Sequence, residues 1–222
     1  MPTAPTRRPL STRDAAWAKG CATWLARRGA SPNAISAASV VAALAAGAAL
    51  IGTRFQVGWA ASGLYLLASV AIQARLLCNL FDGMVAVEHG RRTPAGEVWN
   101  DLPDRLADPL ILVAAGAAIS ACPWGRDLGW LAAVLAVLTA YLRLLGGAAG
   151  LAQSFAGPMA KPQRMAVMTV ACLLAAGVQH RGWDDWVLAG ALSVVILGAA
   201  WTCVRRTQAI VAELSRRSGA QP

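Results

Sequence analysis

Along the chain, long apolar runs alternate with short polar stretches that carry Gly, Pro and charge. Residues 11–29 open on a different pattern: Trp17, Cys21, Trp24 and Leu25 recur at helical spacing, while Arg13, Lys19 and Arg27 lie elsewhere around the axis. That segregation predicts an amphipathic helix lying in the membrane interface. Gly29 and Ser31-Pro32 then predict a break and a restart, with Ser31 as the cap and Pro32 in the first turn. Six apolar runs follow, at about Pro32 to Gly52, Val57 to Asp82, Glu97 to Ala121, Leu128 to Gly146, Arg164 to Val178 and Val187 to Val204. A membrane-crossing helix needs roughly 20 mainly apolar residues, and the fifth run is the shortest of the set. Gly47, set among alanines in the first run, predicts close helix packing.

Composition strengthens this reading. The 222 residues are 57% hydrophobic and only 14% charged, with a mean hydropathy of +0.50, which is more apolar surface than one soluble domain can bury. The expected fold is an all-α polytopic membrane protein of about six transmembrane helices preceded by the interfacial helix. Residues 1–30 form the tail and interfacial helix, 31–205 the six-helix transmembrane domain carrying the site, and 206–222 a C-terminal tail. Near the span ends, one side collects Arg7, Arg8, Arg13, Lys19, Arg27, Arg28, Arg91, Arg92, Lys161, Arg164, Arg205, Arg206, Arg216 and Arg217, and the other has Arg54, Arg126 and Arg181. The positive-inside rule therefore places both termini in the cytoplasm of a multi-pass protein of the cell (inner) membrane.

The net charge of +9 raises nucleic acid as a partner. The basic residues flank apolar segments instead of forming one stripe, so membrane lipids are the expected partner and nucleic acid is excluded. Cys21, Cys78, Cys122, Cys172 and Cys203 show no metal or disulfide spacing and read as small buried hydrophobes. Arg7-Arg8 is followed by no apolar export region.

The chemistry concentrates in residues 75–109, where polar groups gather at the facing ends of two apolar runs. Asn79, Asp82, Gly83 and Ala86 share one helix face, and Gly96, Asn100, Asp104 and Asp108 share another, with Asp101 adjoining. Carboxylate and carboxamide oxygens presented towards each other make a site for hard divalent cations. The competing reading is a structural ion network in which Asp82, Asp104 and Asp108 pair with Arg75 and Arg105. Lys161 and Arg164 read either as solvated loop charges or as anion ligands, and Arg143 as a site residue or an interhelical partner.

These residues resemble the pattern of the CDP-alcohol phosphatidyltransferases, D-x2-D-G-x2-A-R-x8-G-x3-D-x3-D. The gap-free match places Asn79, Asp82, Gly83, Ala86, Val87, Gly96, Asn100 and Asp104 at its fixed positions, and Asp82, Gly83, Ala86, Gly96 and Asp104 are identical. The departures are Asn79, Val87 and Asn100, of which the asparagines keep a side-chain oxygen. The interfacial helix followed by Pro32-Asn33, the six spans and the basic GPMAKPQR stretch before the fifth span are also similar to that family.

The resemblance implies transfer of a phosphatidyl group from a CDP-linked lipid, CDP-diacylglycerol above all, to a small polar alcohol, with CMP released. It implies a divalent cofactor, Mg²⁺ or Mn²⁺, with two ions held by Asn79, Asp82, Asn100 and Asp104, and Asp104 as the catalytic base. Gly83, Ala86 and Gly96 would let the nucleotide approach the backbone. Lys161 and Arg164, if they bind substrate, imply an acceptor that already bears a phosphate. A homodimer is also implied. Asp101 or Asp108 is expected to compensate for Asn100, and Arg75, Arg91 or Arg92 for Val87. A family member that binds CDP-lipid or nucleotide without turnover is the alternative, and the asparagines are its basis. A transporter fits less well, since no inverted repeat is visible.

Overall fold

In the computed structural model the described residues are 11–88, 96–152 and 157–219, and their regular structure is entirely helical. After a short 3-10 turn at Ser11–Asp14 come seven α-helices among the described residues: α1 (Ala16–Arg27), α2 (Pro32–Gly52), α3 (Trp59–Glu88), α4 (Gly96–Ala118), α5 (Gly125–Ala148), α6 (Lys161–Val178) and α7 (Asp184–Gly219). The protein is an all-α polytopic membrane protein. By length and composition α2, α3, α5 and α7 can each cross a bilayer. The other two long helices, α4 and α6, carry the charged residues of the candidate site near their starts.

The break before α2 forms as its residues dictate. Ser31 Oγ accepts from the Ala34 amide at 3.2 Å, and Pro32, with no amide hydrogen to leave unpaired, is the first helical residue. α1 turns Ala18, Ala22 and Ala26 inward against Leu80, Met84 and Val85 of α3, so Trp17 and Trp24 stay exposed on its other face. Trp17 meets Phe81 edge-on, with ring centroids 6.4 Å apart. α7 runs on through residue 205, where the apolar pattern stops. Its last turns are tied by Glu213 to Arg216 at 2.8 Å and to Arg217 at 3.3 Å, and Arg217 donates to the Gly150 carbonyl at 3.1 Å.

Six helices close into a ring in the order α2, α4, α5, α7, α6, α3, each packed on its two neighbours, with α1 outside against α3. The interior is built from small residues such as Ala43, Ala46, Ala115, Ala132, Ala136 and Ala171, while Leu66, Val70, Val134, Leu174, Val194 and Leu197 face outward. Lipid solvates leucine as well as a protein core does, so close backbone approach, and not size, decides the interior. At the α4–α5 crossing a Cβ on Gly116 would stand 2.6 Å from the Gly129 Cα, so only glycine permits that separation.

The end of the bundle remote from the motif is closed by two carboxylates at the start of α7. Asp185 Oδ2 accepts from the Ser120 amide at 2.8 Å, the Ser120 hydroxyl at 2.8 Å and the Ala121 amide at 2.6 Å, and Tyr65 donates to Asp184 at 2.8 Å. These bonds satisfy backbone donors just past the end of α4.

Candidate functional site

The last turns of α3 place Arg75, Asn79, Asp82 and Ala86 on one stripe, and the first turns of α4 do the same for Asp104 and Asp108. Asp82 is 2% exposed. Ser36 of α2 donates to its Oδ2 at 2.6 Å, whereas its Oδ1 is buried with no hydrogen-bond partner among the described residues. The Asn79 amide nitrogen is likewise buried and unpartnered among them. The charged groups acting on Asp82 are Lys161 and Asp104, so α3, α4 and α6 bring their motif residues to one place.

Behind this point lies an ion network. Arg75, fully buried, reaches from α3 to Asp104 Oδ1 at 3.1 Å and to Asp108 Oδ1 at 2.5 Å. Lys161, the first residue of α6, takes Asp104 Oδ2. Arg164 is also buried and holds Asp108 Oδ2 at 2.8 Å, with Thr139 Oγ1 and the Met159 carbonyl each at 3.1 Å. The part-buried Asp104 and the buried Asp108 therefore each face two cations. Removing one partner from such a cluster strands a charge and costs about 3–5 kcal/mol.

Several expectations resolve at this level. Lys161 and Arg164 are not solvated loop charges, because both are paired with α4 carboxylates. Arg143 is an interhelical partner: it joins Arg105 on Asp101 Oδ1, at 2.8 and 2.5 Å. Asp101 and Asp108 are both paired with arginines. The structural ion network exists for Asp104 and Asp108 through Arg75, but Asp82 stands outside it and Arg105 serves Asp101 instead. Gly83 and Ala86 are partly buried on α3, and Gly96 opens α4. Asn100 lies one turn before Asp104, and its side chain falls outside the described residues, as do His89, Arg91, Arg92 and Phe155.

Two participants were missed in the sequence. Ser36 carried only a weak signal, a polar residue one turn into an apolar span. Arg206 was counted as a flanking charge, yet it is 4% exposed and donates to the Thr139 carbonyl, while its neighbour Arg205 points outward.

No family model and no curated protein sequence matches the chain. Solved structures do. The crystal structure of Mycobacterium tuberculosis phosphatidylinositol phosphate synthase (PgsA1) with CDP-DAG bound superposes with a TM-score of 0.67 at 22% identity, covering 88% of this chain and 94% of that one. The same enzyme in complex with manganese and citrate gives 0.67 at 21% identity, covering 87% and 88%, and its apo form gives 0.64 at 21%, covering 85% and 93%. The chain shares their fold.

The donor set can be tested against a divalent cation directly. A buried carboxylate oxygen without a partner is what such an ion would complete, and the Asn79 carboxamide carries a further oxygen on the same helix face. Among the described residues no cluster of three or more His, Cys, Asp or Glu side chains forms, as expected where asparagines occupy two motif positions. The residues fit a hard cation held by few carboxylates.

Proposed function

We propose that this protein transfers a phosphatidyl group from a CDP-linked lipid, with CDP-diacylglycerol as the donor, to the hydroxyl of a small polar alcohol, releasing CMP in phospholipid biosynthesis. The observation that carries this reading is the buried Asp82 carboxylate at a motif position, whose Oδ1 has no hydrogen-bond partner among the described residues, within a fold shared with a phosphatidylinositol phosphate synthase.

Asp82 and Asn79 are proposed to hold Mg²⁺ or Mn²⁺ across from Asn100 and Asp104 of the facing helix, and the ion would supply charge neutralisation for the donor diphosphate and the departing CMP. Ser36 fixes the orientation of the Asp82 carboxylate. Asp104 is the proposed base for the acceptor hydroxyl, paired with Arg75 and Lys161. Gly83, Ala86 and Gly96 are proposed to let the nucleotide approach the backbone.

An apolar groove lined by Ala37, Val40, Val41, Trp99, Leu102 and Leu106 runs between α2 and α4 and offers an acyl chain a place next to the reacting end. A phosphorylated acceptor is supported by Lys161 and Arg164 and by a cleft of about 270 Å³ between α5 and α7 that Arg143, Arg206 and Arg217 line. The site is proposed to open to the cytoplasm of a homodimeric membrane protein.

The test is purified protein with CDP-diacylglycerol, Mn²⁺ or Mg²⁺ and a panel of polar and phosphorylated alcohols, following CMP and lipid products. CMP formation that depends on one acceptor supports the reading. A second reading, a CDP-lipid binder without turnover, is favoured by the engagement of both Asp104 oxygens. Retained CDP-diacylglycerol binding without CMP release across the panel would select it.

A further inference from the structure

The motif carboxylates are served unequally. Asp104 meets Arg75 at one oxygen and Lys161 at the other, and Asp108 sits between Arg75 and Arg164. Asp82 forms no ion pair among the described residues, and its bond from Ser36 leaves Oδ1 buried and unpartnered. With Asn79 and Asn100 at the other oxygen-bearing motif positions, Asp82 and Asp104 are the two formal negative charges the motif retains. The cation opposite Asp104 is built in: Arg75 is fully buried and lies seven residues, about two turns of α-helix, before Asp82 on the same stripe. A metal ion at Asp104 would have to displace Lys161 and then sit against that guanidinium. A metal ion at Asp82 displaces nothing.

We propose that the site binds one divalent cation per chain, on Asp82 with Asn79, and that Arg75 and Lys161 on Asp104 supply as fixed side chains the positive charge a second ion would bring. The proposal deepens the phosphatidyl-transfer reading and rests on it for the identity of the anion, a diphosphate ester. The guanidinium and ammonium then answer part of the diphosphate charge, and Asp104 orients them.

Paramagnetic resonance of Mn²⁺ titrated into the detergent-solubilised full chain, with CDP present, tests this without requiring turnover. The expected result is one Mn²⁺ per chain at saturation, with the resolved hyperfine pattern of a magnetically isolated ion. Asp82→Asn abolishes that site and Asp104→Asn keeps it. Two ions per chain, the broadened signal of a coupled pair, survival of binding in Asp82→Asn, or no saturable binding would each overturn the proposal. Loss of binding in an Asp104→Asn chain whose helical circular dichroism is intact would overturn it too; if that variant does not fold, the parental count and Asp82→Asn decide. CMP release measured on the same samples separates the two claims. Two Mn²⁺ with turnover sinks this inference and spares the reaction, whereas one Mn²⁺ without turnover does the reverse.

Discussion

The two ends of the bundle both bury aspartates, and they treat them differently. At the start of α7, Asp185 meets three neutral donors from Ser120 and Ala121, and Asp184 meets the Tyr65 hydroxyl. At the motif end, Asp104 and Asp108 meet arginine and lysine, and Asp82 keeps an oxygen with no partner among the described residues. A carboxylate held by fixed amide and hydroxyl donors closes a fold. One left open in the membrane is a cost that only a ligand offsets. The contrast is the basis for proposing structure at one end and chemistry at the other.

The harshest way to break this contrast is at Arg75, which ties α3 to both α4 carboxylates. Arg75→Met leaves Asp104 and Asp108 undercompensated, and thermal unfolding in detergent should report a loss of about 3–5 kcal/mol. An unchanged transition would mean that the network does not hold the site helices together. Next is Asp104→Asn, which keeps one oxygen and removes the proton acceptor. CMP release should fall roughly 10²-fold or more, while Asp101→Asn, committed to Arg105 and Arg143, leaves it near parental. The reverse outcome would move the base to Asp101.

The opposite end sharpens the contrast with a smaller effect. Asp185→Ala strands the Ser120 and Ala121 amides and should cost about 1–3 kcal/mol in unfolding experiments, with Mn²⁺ binding and CMP release per folded molecule unchanged. A selective loss of turnover would show that the ends are not independent. The mildest change is Arg217→Ala in the α5–α7 cleft, for which the acceptor KM should rise roughly tenfold and the donor KM much less, as loss of one charge-assisted contact predicts. Equal effects on both substrates would remove the argument for a phosphorylated acceptor.

Much of this was legible in the residues. Ser31-Pro32 marked the start of α2 because the capping chemistry is local, and the apolar runs located the long helices because hydropathy is additive along a helix. The end of α7 was not legible from hydropathy, since Glu213 with Arg216 and Arg217 extends a helix that the apolar pattern had finished. At the site, the spacing of Asp82 and Asp104 was readable, but their partners were not. Arg75 lies on the Asn79–Asp82–Ala86 stripe, so its inward position follows from periodicity; that it meets Asp104 depends on how α4 is rotated, which no local pattern encodes. Ser36 reaches Asp82 across 46 residues of sequence, and a lone serine in an apolar helix does not announce that.

The central claim, that the open carboxylate of Asp82 works and does not merely hold the fold, is tested most directly by Asp82→Asn measured for CMP release and thermal unfolding together. The change keeps the shape and an oxygen for the Ser36 hydroxyl, and it removes a buried charge that no ion pair compensates among the described residues. The account predicts that Mn²⁺-dependent CMP release from CDP-diacylglycerol falls roughly 10²-fold or more, while the unfolding midpoint stays at or above the parental value. Parental CMP release, or an unfolding midpoint that collapses as it should for Arg75→Met, would contradict it.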